Sequence, residues 1–170
     1  MRFDLAQVNI ARLAAPLDSA QLAGFVAALD PVNALADGAP GFVWRLVGEG
    51  GNATQVQAFR AETADGAGII TNLSTWADVG SLAAFVYGPM HAAIMRRRRE
   101  WFLQIREAYV VCWWVPGGHR PATAEAEDRL EHLRRHGPTP DAFTLRQHYP
   151  APGAAAVPSP VVRDDWLCDV

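Results

Sequence analysis

Apolar and polar positions along the chain sort into short β-type runs and helical stretches. Phe3 to Arg12 (FDLAQVNIAR) alternates loosely without a helix cap and reads as a strand. Pro16, Asp18 and Ser19 give a turn and an N-cap. Leu22, Phe25, Val26 and Leu29 then recur at helical spacing, so 19–36 reads as a helix with one apolar face. Pro31 falls inside it and is expected to kink or split it. Phe42 to Val47 is β-rich, a Gly- and Asn-containing turn follows, and Gln55 to Arg60 is expected to return as a hairpin partner. Gly68 to Leu73 resumes the sheet. Ser74 or Thr75 is expected to open a helix with Leu82, Phe85 and Val86 on its apolar face. Gly88-Pro89 interrupts that helix, and Met90 to Leu103 continues as another. Tyr109 to Val115 (YVVCWWV) is the clearest buried strand. Thr123 is expected to cap a helix running to His136, acidic at its start and rich in arginine at its end, as the helix dipole favours. Phe143 to Tyr149 reads as a last short strand.

The resulting order, β-α-β-β-α-β with a helix and strand appended, is the ferredoxin-like split βαβ pattern of an α+β protein. One domain is expected over residues 1–150. A Pro/Ala linker and C-terminal tail follow over 151–170.

Composition narrows the chemistry. With 170 residues, half of them hydrophobic and 19% charged, one core can form without disulfides or metal. The net charge of −3 leaves no nucleic-acid footprint at the level of the whole chain. No apolar run approaches the roughly 18 residues of a membrane span, and Met1-Arg2-Phe3-Asp4 lacks a secretory signal's apolar region. A cytoplasmic location is therefore expected. Every basic residue is arginine. That excludes a Schiff-base lysine, a pyridoxal-phosphate lysine and a P-loop lysine. The Gly48–Gly51 turn joins two strands and opens no helix, so it is not a dinucleotide fingerprint. His132 and His136 are four residues apart, but His-Leu-Arg-Arg-His lacks a zinc-protease glutamate and is flanked by cations, so no metal is expected. Cys112 reads as inert core.

Asn72-Leu-Ser-Thr-Trp76 followed by Leu82, Phe85 and His91 resembles the second half of the antibiotic-biosynthesis-monooxygenase superfamily. Its members typically carry a strand ending in Asn or Glu, a Trp four residues on, and then a helix with a His. Further stretches make the pattern similar to a bacterial subfamily of unknown function, over about residues 3–148. They are Asn33-Ala-Leu-Ala36, Gly41-Phe-Val-Trp44, Phe85-Val-Tyr87, Arg97-Arg98-Arg99-Glu100-Trp101-Phe102, Trp113-Trp114-Val115-Pro116 and Gly118-His119-Arg120-Pro121. The resemblance implies a homodimeric α+β barrel, two sheets packed face to face, with a pocket in each subunit between sheet and helices. Superfamily members range from cofactor-free oxygenases to cyclases, isomerases and haem proteins, so the fold does not choose among them.

By that resemblance Asn72 and Trp76 line the pocket. An amide can hold a phenol or carbonyl oxygen, and an indole can stack on a ring. The alternative is that Asn72 only ends a strand and Trp76 is core. His91 sits in the first turn of a helix, whose positive end favours a neutral imidazole, usable as a general base or as a haem ligand. Alternatively it only braces the Gly88-Pro89 break. Tyr87 precedes it by four residues. Arg96 to Arg99 wrap their helix, so at least one should face inward, and Arg97 is taken as that one. Trp44, Phe59, Trp76, Phe85, Trp101, Trp113 and Trp114 fall on sheet or inward helix positions, with Trp113 and Trp114 on opposite sheet faces.

The expected function is a small-molecule enzyme of secondary metabolism: a cofactor-independent oxygenase, cyclase or isomerase acting on an apolar aromatic or polyketide-like substrate. His91, Asn72 and Arg97 would be catalytic, and Trp76, Tyr87, Trp101, Trp113 and Trp44 would bind substrate. Two alternatives stay open: a haem-binding barrel with His91 as ligand, and a non-catalytic ligand-binding homodimer. Neither nucleic acid nor a membrane is an expected partner.

Overall fold

The computed structural model describes residues 1–48, 51, 53, 54, 56, 58, 59 and 67–154. Its centre is strand β1 (Phe3–Leu13), whose alternation puts Ala6, Val8 and Ile10 on one face and Leu5, Gln7, Asn9 and Ala11 on the other. β1 pairs along one side with β3 (Ile69–Trp76) and along the other with β5 (Val110–Pro116). The two-residue β4 (Phe102–Leu103) continues the β5 side at Arg12 and Leu13. β2 (Phe42–Arg45) closes the far edge of β3, with an irregularity between Phe42 and Trp44. The order is thus β2-β3-β1-β5, and every pairing is antiparallel.

Four helices, α1 (Ala23–Asp37), α2 (Val79–Val86), α3 (Pro89–Arg96) and α4 (Arg98–Trp101), accompany the Leu5 face. Their apolar residues form two clusters with it: Leu5, Ala36, Trp76 and Leu82 in one, Leu13, Phe25, Ile70 and Trp101 in the other. The fifth, α5 (Thr123–His136), lies across the opposite face, where Ala126, Leu130 and Leu133 pack with Val8, Val111 and Trp113. Trp113 and Trp114 do face opposite ways. Trp113 donates Nε1–H to Glu125 of α5 at 2.8 Å, and Trp114 donates to the Tyr149 carbonyl at 2.8 Å. No helix among the described residues is long and apolar enough to cross a membrane.

Several elements depart from the expected boundaries. β3 runs on through Trp76, and Asp78 rather than Ser74 or Thr75 caps α2, its Oδ1 accepting from the Ser81 N–H at 2.7 Å. Pro31 neither splits nor ends α1. Pro31 and Ala27 both face solvent, so water can satisfy the Ala27 carbonyl that the proline leaves unbonded. The expected 90–103 helix breaks at Arg97 into α3 and α4. Ala122, not Thr123, occupies the cap position of α5. The expected 143–149 strand reduces to one bridge, Phe143 to Cys112, with backbone bonds of 2.7 and 2.8 Å. Of the expected 55–60 strand, residues 55, 57 and 60 lie outside the described residues, as does the 161–170 tail, and Val56, Ala58 and Phe59 belong to no strand. Ala58 and Phe59 are buried in the α5 cluster.

On the sheet face opposite α1–α4, the chain's own α5, Ala58 and Phe59 form one packed layer. Leu130→Ala, which hollows that layer, is expected to cost about 2–5 kcal/mol in urea denaturation.

Gly41 ties the edge strand to α2. It sits at φ +78°, its carbonyl accepts from Ala77 N–H at 2.7 Å, and a Cβ there would meet Ser81 Oγ at 2.1 Å. Only glycine lets the two chains approach this closely.

Candidate functional site

Between the Leu5 face of the sheet and helices α1–α4 lies a cavity of about 390 Å³. Its floor is polar: Gln7 and Asn9 of β1, Asn72 and Ser74 of β3. Register makes this a patch, since Asn9 lies opposite Asn72 and Gln7 opposite Ser74. Its roof is apolar, contributed by Phe25, Leu29 and Val32 of α1, Phe85 and Val86 of α2, and Ile94 of α3.

A chain of hydrogen bonds orients the floor. Trp76 Nε1–H donates to Ser74 Oγ at 3.0 Å, and Ser74 Oγ–H donates to Gln7 Oε1 at 3.4 Å. Gln7 Nε2–H then donates to Asn9 Oδ1 at 3.3 Å. The last two bonds are long, but they share one polarity, which leaves the NH₂ of Asn9 as the donor end. Asn72 opposite it is exposed and makes no side-chain hydrogen bond among the described residues. Its amide is available to a ligand.

A run of rings leads from the sheet edge to His91. Phe42 meets Trp76 edge-on at 5.3 Å, Trp76 stacks on Phe85 at 5.1 Å, and Phe85 lies 5.3 Å from the His91 imidazole. Trp76 is only 1% exposed, so it is core and cavity wall at once. His91 sits on the first turn of α3, which Gly88 and Pro89 start. Its Nδ1 lies 2.9 Å from the Val86 carbonyl oxygen. A carbonyl only accepts, so Nδ1 carries the proton and Nε2 keeps a lone pair. Burial lowers the His91 pKa, and the Val86 bond opposes that shift. Desolvation, rather than the helix end inferred from the sequence, leads in keeping the ring neutral.

This arrangement makes stability depend on pH. A folded-state pKa below the unfolded value means the unfolded chain binds more protons as pH falls past about 6.5. The His91 contribution is then lost progressively on acidification. Denaturation at pH 7.5 and 5.5 should show a larger acid-induced loss in the natural chain than in His91→Phe.

His91, Asn72 and Trp76 thus line one cavity, framed by elements of a single α+β unit. The chain belongs to the family described as a domain of unknown function, DUF3291. The match spans residues 4–159, from the first strand past the Phe143 bridge. No curated protein matches the sequence.

Other expected site residues of this DUF3291 chain lie elsewhere. Arg97 does not turn inward. It is exposed, paired with Glu100 at 2.9 Å and laid over the outer side of Trp101, 4.8 Å from the ring centroid. Arg98 and Arg99 line the cavity instead, because the α3–α4 break at Arg97 resets the helical phase. Trp101 is 2% exposed and packs on Phe25 and Phe102 behind the cavity wall. Trp113 and Trp44 belong to the α5 side of the sheet. Tyr87 packs beside the Trp76–Leu82 cluster without lining the cavity.

Sequence reasoning misses Gln7, Asn9, Ser74 and Arg45, and it turns at least one of Arg96–Arg99 inward without singling out Arg98 or Arg99. For the floor a signal existed: Gln-Val-Asn in β1 and Asn-Leu-Ser in β3 each put two polar side chains on one strand face. Arg45 grips Asp37 with two bonds of 2.8 and 3.1 Å, and this pairing holds the Asp37 carboxyl below its ordinary pKa. Elsewhere, His132 and His136 lie 4.7 Å apart with His132 Nε2 3.1 Å from Thr139 Oγ1. Burial pushes the Cys112 thiol up to about 12, which leaves it unreactive.

Proposed function

We propose that this chain binds an apolar, aromatic or polyketide-like molecule between sheet and helices and moves a proton on it without a cofactor. Such proton transfer opens cyclisation and isomerisation and, with dioxygen as co-substrate and oxidant, oxygenation. The observation that carries the reading is the shared cavity: a neutral imidazole with a basic Nε2, a free carboxamide and an apolar roof enclose one space. In the reaction, Nε2 of His91 takes a proton from a carbon beside a carbonyl. The C–H electron pair moves into the carbonyl and forms an enolate. The amides of Asn72 and Asn9 donate to the oxygen as its charge grows, and the roof limits competition from water. The ring of Trp76 fixes the wall against which an aromatic body rests.

Likeness to the antibiotic-biosynthesis-monooxygenase superfamily supports a place in secondary metabolism. The order β2-β3-β1-β5, antiparallel throughout with α1–α4 on one face, supports the ferredoxin-like arrangement within that likeness. All three groups come from one chain, so the proposed site needs no second copy. The test is hydrogen–deuterium exchange at the α-carbon of 2-tetralone in D₂O, followed by NMR. Exchange above the buffer rate, suppressed by the non-exchanging competitor 2-naphthalenemethanol, is the expected result. Exchange at the buffer rate would remove the catalytic reading.

A second reading is haem binding. The Nδ1 bond to Val86 presents Nε2 in the form an axial ligand needs. Haemin titration into the purified chain separates the two: a sharp absorbance shift that His91→Ala abolishes would favour haem.

A further inference from the structure

The ionisable side chains around the cavity are one-sided. Arg45, Arg98, Arg99 and His91 line it, and no aspartate or glutamate does so among the described residues. Arg45 is offset by Asp37, which grips it from outside the cavity. The other two arginines have no such partner. Arg98 is half-buried and reaches only the Met95 carbonyl, at 3.3 Å. Arg99 makes no ion pair among the described residues. The carboxylate next in sequence, Glu100, is turned away and held by Arg97. A chain of net charge −3 therefore concentrates unpaired positive charge at one end of a largely apolar cavity.

Arg97 and Arg99 are exposed and Arg98 is half-buried, but Arg97 is paired with Glu100, whereas Arg98 and Arg99 line the same cavity as Phe85 and Ile94. Clefts with low-dielectric walls focus such charge, and a guanidinium presents donors matched to a planar oxyanion.

We infer that the ligand of this cavity is an anionic amphiphile: an apolar, ring-sized body lies under the helical roof, and a carboxylate-like head meets Arg98 and Arg99. The inference rests on reading the cavity as a ligand site and adds the charge of what occupies it. It also gives the polar floor a place, since Asn9 and Asn72 can hold further oxygens along the body.

A matched pair of probes tests it: 2-naphthoate, and 2-naphthalenemethanol, which shares the ring and lacks the charge. Titrated into the full chain at low salt, naphthoate is expected to bind at least about tenfold more tightly, as a charge-assisted hydrogen bond provides. The advantage should shrink when salt is raised to about 0.5 M. In the double variant Arg98→Met/Arg99→Met, naphthoate affinity should fall about tenfold while affinity for the alcohol stays unchanged. The unchanged alcohol binding reports an intact cavity. Equal affinities in the natural chain, or a preference that survives in the double variant, would overturn the inference while leaving the cavity a ligand site. Binding of neither probe would overturn both.

Discussion

Trp76→Ala is expected to lower the unfolding free energy by about 3–5 kcal/mol, the range for truncating a fully buried aromatic. The indole is 1% exposed, pairs across the sheet with Leu5, and contacts two further rings, Phe42 and Phe85. Alanine would leave a hole between β3 and α2 that those rings, fixed to their own elements, cannot fill. It would also remove the donor that starts the Ser74–Gln7–Asn9 hydrogen-bond chain. Trp76→Phe separates the two effects: it keeps a ring and loses the Nε1 bond, so about 1–2 kcal/mol is expected. Urea denaturation of both variants measures the difference. A loss below about 1 kcal/mol for alanine would mean the wall is not packed as described.

His91→Gln is expected to cut catalysed deuterium exchange on 2-tetralone by about 10²–10⁴-fold, the usual contribution of a positioned general base. Glutamine can still donate to the Val86 carbonyl, so the α2–α3 junction keeps its brace. It has no basic nitrogen, so proton abstraction is lost. The natural chain's exchange rate should be flat above neutrality and fall on the acid side, because burial lowers the pKa of the group that must stay unprotonated. Loss of exchange with unchanged binding of 2-naphthalenemethanol assigns His91 to the chemistry. Retained exchange would return it to a bracing role.

Much of the architecture was legible because it rests on period-two alternation and strong breakers. Strand β1, the Ile69–Leu73 part of β3, the Tyr109–Val115 strand and the helix ending at His136 follow from local pattern alone. What failed depended on tertiary context. Pro31 looks disruptive from propensity, yet it sits on the solvent side of α1, where an unbonded carbonyl costs little. Ser74 and Thr75 look like caps, yet β1 recruits them as strand residues.

The site was half legible for the same reason. Asn72, Trp76 and His91 stood out by spacing. Gln7 and Asn9 join Asn72 only through the antiparallel register of β1 and β3, which no local pattern sets. Counting along an unbroken helix points to Arg97, and the break falls at Arg97 itself. Residue type alone groups the tryptophans, but the sheet divides them: Trp76 lies with the cavity, Trp44 and Trp113 under α5.

The central claim is that an imidazole, a carboxamide and an indole meet one bound molecule. A ¹H–¹⁵N titration with 2-naphthalenemethanol reads all three, through the Trp76 indole N–H, the Asn72 side-chain NH₂ and the His91 ring nitrogens. The three sets of signals are expected to move along one saturation curve with a common Kd, while the Trp113 indole N–H on the opposite sheet face stays still. Signals that remain fixed, or a Trp113 response equal to that of Trp76, would contradict the account.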